Sequence, residues 1–183
     1  MTKDITQHLE RHLGEIARGW KGSRHIGVAE FPNQPQPGVM TYTTLGLSVN
    51  PLPMARERTV RQELVVSAYQ SFDPDNVASF LVTFAEYICA QSRALLRGDV
   101  VGPADPLIPG VRASAVYASI PVFFDDDFSV YQDSSPPTVL VWLIPLPRED
   151  AEFVKTQGWE PFEDMLESTA VDFWDLNRPP LAR

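Results

Sequence analysis

The run "TVLVWLIPLP" at residues 138–147 constrains this chain most. It is almost continuously apolar, and prolines close it. A strand with one wet face alternates apolar and polar residues. A run without that alternation suggests a strand covered, at least in part, on both faces. Its apolar stretch is too short to cross a bilayer as a helix, which takes roughly 20 residues. "SAVYASIPVFF" at residues 114–124 has the same character and is predicted as a second such strand.

The flanking segments say what accompanies these strands. Ile5, Leu9, Leu13, Ile16, Ala17 and Trp20 recur at three- and four-residue spacings, which predicts a helix over residues 5–20. "HIGVAEF", "GVMTYTTLGLSV" and "QELVVSAY" read as three strands, separated by the proline-rich loops "PNQPQPG" and "NPLPMARERTV". "FDPDN" then opens a long helix, with Asp73 or Asp75 as cap and Pro74 in the first turn. Its apolar face holds Val77, Phe80, Leu81, Phe84, Ala85, Ile88 and Leu95, and Gly98 is the expected stop. "REDAEFVKTQG" and "EPFEDMLEST" read as two short helices, with Glu149, Asp150 and Glu152 where negative charge suits the helix dipole. "FWDLNRPPLAR" closes the chain as a short strand or ordered strip. The order is α-βββ-α-ββ-αα-tail. Without βα alternation it predicts an α+β fold with a mostly antiparallel, mixed sheet flanked by helices. One domain over residues 1–183 is expected, with the N-terminal helix in 1–24 and the core in 25–181.

Charge narrows the partners. The formal net charge is −9, and residues 92–183 carry 7 basic against 15 acidic side chains. Such a chain repels phosphate backbones, so nucleic acid is not expected, and a protein partner with a basic surface is. Cys89 is the only cysteine, which removes an internal disulfide and a cysteine-based zinc site. Asp4 and Glu10 interrupt any apolar signal core, so a cytoplasmic protein with no membrane association is the expectation.

Catalytic patterns are few. "HLERH" places His8 and His12 four apart on one helix face, as in helical zinc pairs. The metalloprotease signature has Glu directly after the first His; here that position is Leu9. All three histidines lie within the first 25 residues, and no Gly-x-Ser-x-Gly elbow, phosphate loop or dinucleotide glycine pattern is present. "FFDDDF" at residues 123–128 sets Asp125, Asp126 and Asp127 side by side. In extended chain, neighbours point to opposite faces, so three in a row do not converge on one ion. The alternate spacing and glycine turn of a calcium loop are absent. Two readings stay open: the solvated tip of a hairpin, or an acidic loop that meets a cationic partner together with Asp133 and the 51–61 loop. No metal and no cofactor is expected.

"TYTTLGLS" followed by "RQELVVSAY", and "VWLIPLPREDAEFVKTQGWEPFEDMLE" closing with "DLNRPPL", resemble the suppressor-of-fused-like domain. Gly46, Leu47, Ser48, Glu63, Leu64, Pro145, Glu149, Gly158, Asp175 and Arg178 stand at the matching positions, and the resemblance spans residues 25–181. It implies a mixed α/β fold and a non-enzymatic, protein-binding role. For the stand-alone bacterial type it implies an immunity protein that neutralises a toxin. Glu63 and Arg178 are expected to form an internal ion pair that orients the tail. The alternatives are a metal- or carboxylate-dependent hydrolase and a scaffold that homodimerises by strand pairing.

Overall fold

A computed structural model describes residues 4–23 and 25–182. The chain divides into two compact units. One holds Ile120–Trp142 and the residues up to Leu95; the other holds Leu96–Ser119 and the residues from Leu143 onward.

In the first unit, β1 (Arg18–Lys21), β2 (Gly27–Pro32), β3 (Val39–Leu45) and β5 (Thr59–Tyr69) pair antiparallel in that order. β4 (Leu52–Pro53) pairs with the start of β5. The first half of β9 (Thr138–Leu146) lies parallel to β5, with Glu63 opposite Leu140 and Val65 opposite Trp142. The short β8 (Val130–Tyr131) pairs antiparallel with β9. The sheet is therefore mixed and mostly antiparallel, as predicted, and β9 is buried along nearly its whole length.

Helices cover both faces of this unit's sheet. On β2, Ala29 and Phe31 join Leu9 and Leu13 of α1 (Ile5–Leu13) in one core cluster with Val65, Phe128 and Leu140. The intervening Glu30 points the other way, as the period of two requires. There it lies near Arg18 and near Asp75 of α2 (Pro74–Gln91). Burial pushes the Glu30 carboxyl up, and Asp75 adds to this against the pull of Arg18. Asp75 accepts from Arg18 Nη2 at 2.6 Å and Trp20 Nε1 at 2.8 Å, tying α2 to β1.

The second unit holds the end of β9, then β7 (Ala115–Ser119) and the two-residue β6 (Val100–Val101), with α3 (Arg148–Gln157) and α4 (Trp159–Ser168). α3 packs on β6, β7 and α4. Tyr117, Phe153 and Phe162 bring their rings together between these elements. The Tyr117 hydroxyl donates to Glu163, which also pairs with Arg97. Burial pushes the Glu163 carboxyl up, but the hydrogen bonds from Arg97 and Tyr117 outweigh it and hold it below its ordinary value.

Three sequence expectations are corrected. The N-terminal helix stops at Leu13, because Gly14 at φ 88° ends it, and Trp20 sits instead in β1. α2 stops at Gln91, where Ser92 turns left-handed. The buried Gln62 amide then grips Leu95 through both its backbone N–H and its carbonyl, holding that segment out of helical geometry. Strand β7 ends at Ser119, so residues 121–124 are not strand. The helix cap is Asp73, which accepts from Asn76 N at 3.0 Å. The tail is an ordered strip without strand pairing. Among the described residues no helix is long and apolar enough to cross a membrane.

Candidate partner-binding site

"FFDDDF" has a division of labour set by burial. Phe128 is fully buried in the cluster under α1, and Phe124 packs against it with ring centroids 4.7 Å apart. Phe123 stands edge-on to Trp142. Asp125, Asp126 and Asp127 are all exposed. The apolar residues anchor the segment and leave the carboxylates in water. Full burial of a phenylalanine stabilises by roughly 1.5–3 kcal/mol, which sets the strength of that anchor.

The segment is not the tip of a hairpin. Asp125 precedes a 3-10 turn over Asp126–Ser129, and the turn feeds β8, which returns against β9 through residues 132–137. Phe128 N donates to the Asp125 carbonyl at 2.9 Å, and Ser129 Oγ donates to the Asp126 carbonyl at 2.9 Å.

The turn sits against the two histidines of "HLERH". His8 is buried, and its Nε2 lies 3.0 Å from the Phe128 carbonyl. A carbonyl only accepts, so His8 Nε2 carries the proton. Burial pushes the His8 imidazole below its ordinary value, and His12 and Arg11 act in the same direction. The Phe128 hydrogen bond and Asp127 oppose them. His12 Nδ1 is 3.8 Å from the Asp125 carboxylate, and the two imidazoles are 4.8 Å apart. The helix pair and the aspartate triplet, far apart in sequence, thus share one place.

Between them opens a cleft of about 460 Å³, lined among others by His12, Arg11, Asp126, Asp127, Tyr131 and Asp133. Three carboxylates face one guanidinium there. Burial pushes the Tyr131 phenol up, and Asp133 and Asp4 push it further. Among the described residues, no three His, Cys, Asp or Glu side chains are grouped to hold a metal ion.

The residues of the family pattern lie in two other places. Glu63 is fully buried on β5. Its Oε1 accepts from Gly46 N at 2.9 Å, Ser48 N at 3.0 Å and Ser48 Oγ at 2.7 Å, and its Oε2 accepts from Thr44 Oγ1 at 2.5 Å. Gly46 is left-handed at φ 106°, and a Cβ there would lie 2.4 Å from the His25 carbonyl oxygen. The "GLS" turn is therefore wrapped around one carboxylate.

Arg178 does not pair with Glu63 as expected; its partner is Asp150. Arg178 Nη1 donates to Asp150 Oδ2 at 2.8 Å, and Leu181 N and Ala182 N donate to Oδ1 at 2.8 and 3.0 Å. Asp175 accepts from Asn177 N and shapes the turn before Arg178. Glu149, the pattern residue on α3, is exposed, while its neighbour Asp150 is the buried one. Sequence reasoning passed over Asp150 because it sits in an acidic first turn whose charges the helix dipole already explains. The missed signal was a carboxylate directly after "PLPRE", with an arginine in the tail needing a buried partner.

The loop over 51–61 is exposed at Arg56, Glu57 and Arg58 and is not acidic. Arg61 turns back to donate to the carbonyls of Ser48 and Val49 at 2.6 and 2.7 Å.

Comparison with known proteins gives these elements a context. The family model "Suppressor of fused protein (SUFU)" matches residues 22–179. Immunity protein YqcF of Bacillus subtilis (strain 168) is 22% identical over 167 residues, 90% of this chain and 86% of that protein. A suppressor of fused homologue from Neisseria gonorrhoeae FA 1090 superposes with a TM-score of 0.80 at 14% identity, covering 98% of this chain and 95% of the other. The Drosophila Suppressor of Fused structure gives a TM-score of 0.73 at 12% identity over 97% of this chain, which spans only 50% of that longer chain. A chain of the Sufu-Fu complex gives 0.69 at 12% identity, covering 97% of this chain and 90% of the other. By its matched family model and its fold, the chain belongs to the suppressor of fused protein family.

Proposed function

We propose that this chain is a non-enzymatic binding domain, acting in the cytoplasm as an immunity protein that neutralises a toxin by covering it. The observation that carries the reading is the exposed Asp125–Asp126–Asp127 triplet on a loop anchored by buried phenylalanine. A rigidly held, exposed cluster of one sign favours a partner of the other sign and speeds its encounter. Asp133, on the same cleft, extends the face. The similarity to an immunity protein over nearly the whole of both chains supports the toxin as the class of partner.

The test is co-expression with candidate toxin domains taken from reading frames that flank the gene. Growth is restored by this chain through a stoichiometric complex seen by size-exclusion chromatography. Growth restored without a complex, with the toxin chemically altered, would overturn the binding reading in favour of catalysis.

A further inference from the structure

The segment from Ile120 to Asp127 exposes more than carboxylate. Among the described residues seven large apolar side chains are exposed, and three of them stand together here: Ile120 at 45%, Val122 at 66% and Phe123 at 45%. Single exposed apolar residues are ordinary on a protein surface, but a contiguous group marks an interaction site. The backbone makes this group compact in space as well as in sequence. Val122 N donates to the Ile120 carbonyl at 2.8 Å and Phe124 N to the Pro121 carbonyl at 3.3 Å, before Phe128 N closes the next turn on Asp125. A turn of the Pro121–Phe124 kind brings residues three apart to within about 7 Å, where extended chain separates them by roughly 10 Å. The group is also held in place. Pro121 is buried, Phe123 stands edge-on to Trp142, and Phe124 packs on Phe128. An apolar surface ordered in advance loses little freedom on binding.

Charge chooses the occupant. Asp125, Asp126 and Asp127 border the apolar group directly and are exposed. A second copy of this chain is disfavoured, because a two-fold contact through Val122 brings two such triplets to one interface. A partner that sets lysine or arginine around an apolar centre is favoured, and protein interfaces have that anatomy, an apolar centre inside a polar rim. We propose that Ile120, Val122 and Phe123 form the centre of the partner-binding face and dock on an apolar patch of the protein partner bordered by basic residues, which meet the aspartates at the rim. This rests on the protein-binding reading above and divides its labour: the aspartates speed the encounter, and the apolar group holds the complex.

The experiment measures association and dissociation rates of the full chain with the toxin domain that it neutralises in the co-expression test. The variants are Ile120→Ser/Val122→Ser, which leaves Phe123 on Trp142, and the milder Val122→Ser alone, in case the double variant unfolds. Thermal unfolding checks the fold of each. The dissociation rate is expected to rise about tenfold in the double variant and less in the single one. The association rate and its salt dependence are expected to stay within about twofold of the wild type, because the aspartates are intact. An unchanged dissociation rate in a folded variant, or a loss confined to the association rate, overturns the proposal. So does a wild-type dimer in light scattering that the variants abolish, since a second copy then covers the patch. A complex that forms and ignores these substitutions sinks the apolar centre alone. Absence of a complex with every candidate toxin sinks the binding reading and this proposal together.

Discussion

Glu63 and Asp150 are buried carboxylates, each filled by donors from its own unit, whereas Asp125, Asp126 and Asp127 stand in water on a turn held by phenylalanines. The first kind organises chain. Glu63 closes the "GLS" turn, and Asp150 ties down the tail. Among the described residues the second kind has no internal donor of comparable strength; Asp125 meets His12 only at 3.8 Å while remaining almost fully exposed. A carboxylate used for folding is surrounded by N–H and O–H groups, and one free for a partner is not. Residues at the family positions are thus mainly of the structural kind here, and the candidate binding residues lie elsewhere.

Breaking the buried side of this contrast produces the largest effects. Asp150→Ala leaves the Arg178 guanidinium buried without its counter-charge, together with two unpaired backbone N–H groups. The expected loss is about 3–5 kcal/mol, read by chemical denaturation. Arg178 Nε and Nη2 already lack partners, so little in its surroundings compensates. Glu63→Gln keeps the shape but turns an NH₂ toward groups that donate. About 1–3 kcal/mol of destabilisation is expected, with the 46–48 turn losing amide protection first.

How far these roles were legible beforehand follows the same division. The β9 run showed its burial directly, since nothing polar interrupts it, and the Asp73–Pro74 start of α2 carried its cap in the sequence. The helix over 5–20 was overdrawn because Ile16 and Trp20 continue the apolar spacing, while the break depends on Gly14 and on β1 pairing with β2. β4, β6 and β8 are two residues each, too short for any period. The meeting of His8 and His12 with the aspartate turn is a contact across more than a hundred residues, set by Phe128 entering the core under α1. No local pattern encodes it. Nor does local pattern separate Glu149 from Asp150, because their difference lies in which side of α3 the tail crosses.

A smaller effect sharpens the contrast from the histidine side. The His8 imidazole is held below its ordinary value near 6.5, so the unfolded chain takes up the proton more readily than the folded one. Its contribution to stability is present above about pH 6.5 and declines as pH falls through the lower folded value. His8→Gln keeps a donor for the Phe128 carbonyl and removes the titration. Its stability, followed by thermal unfolding, is expected to fall less steeply than that of the wild type on acidification below pH 6.5.

The smallest expected effect on stability belongs to the triplet. Asp125→Asn/Asp126→Asn/Asp127→Asn changes only exposed groups, and its stability is expected to stay within about 0.5 kcal/mol of the wild type. That silence makes the variant decisive for function. The direct measurement is the Kd of the toxin domain that this chain neutralises in the co-expression test, for wild type and triple variant at low and high salt. A Kd raised about tenfold at low salt, with a flattened salt dependence, is the predicted result. Equal affinity and equal salt dependence for the two proteins would contradict it.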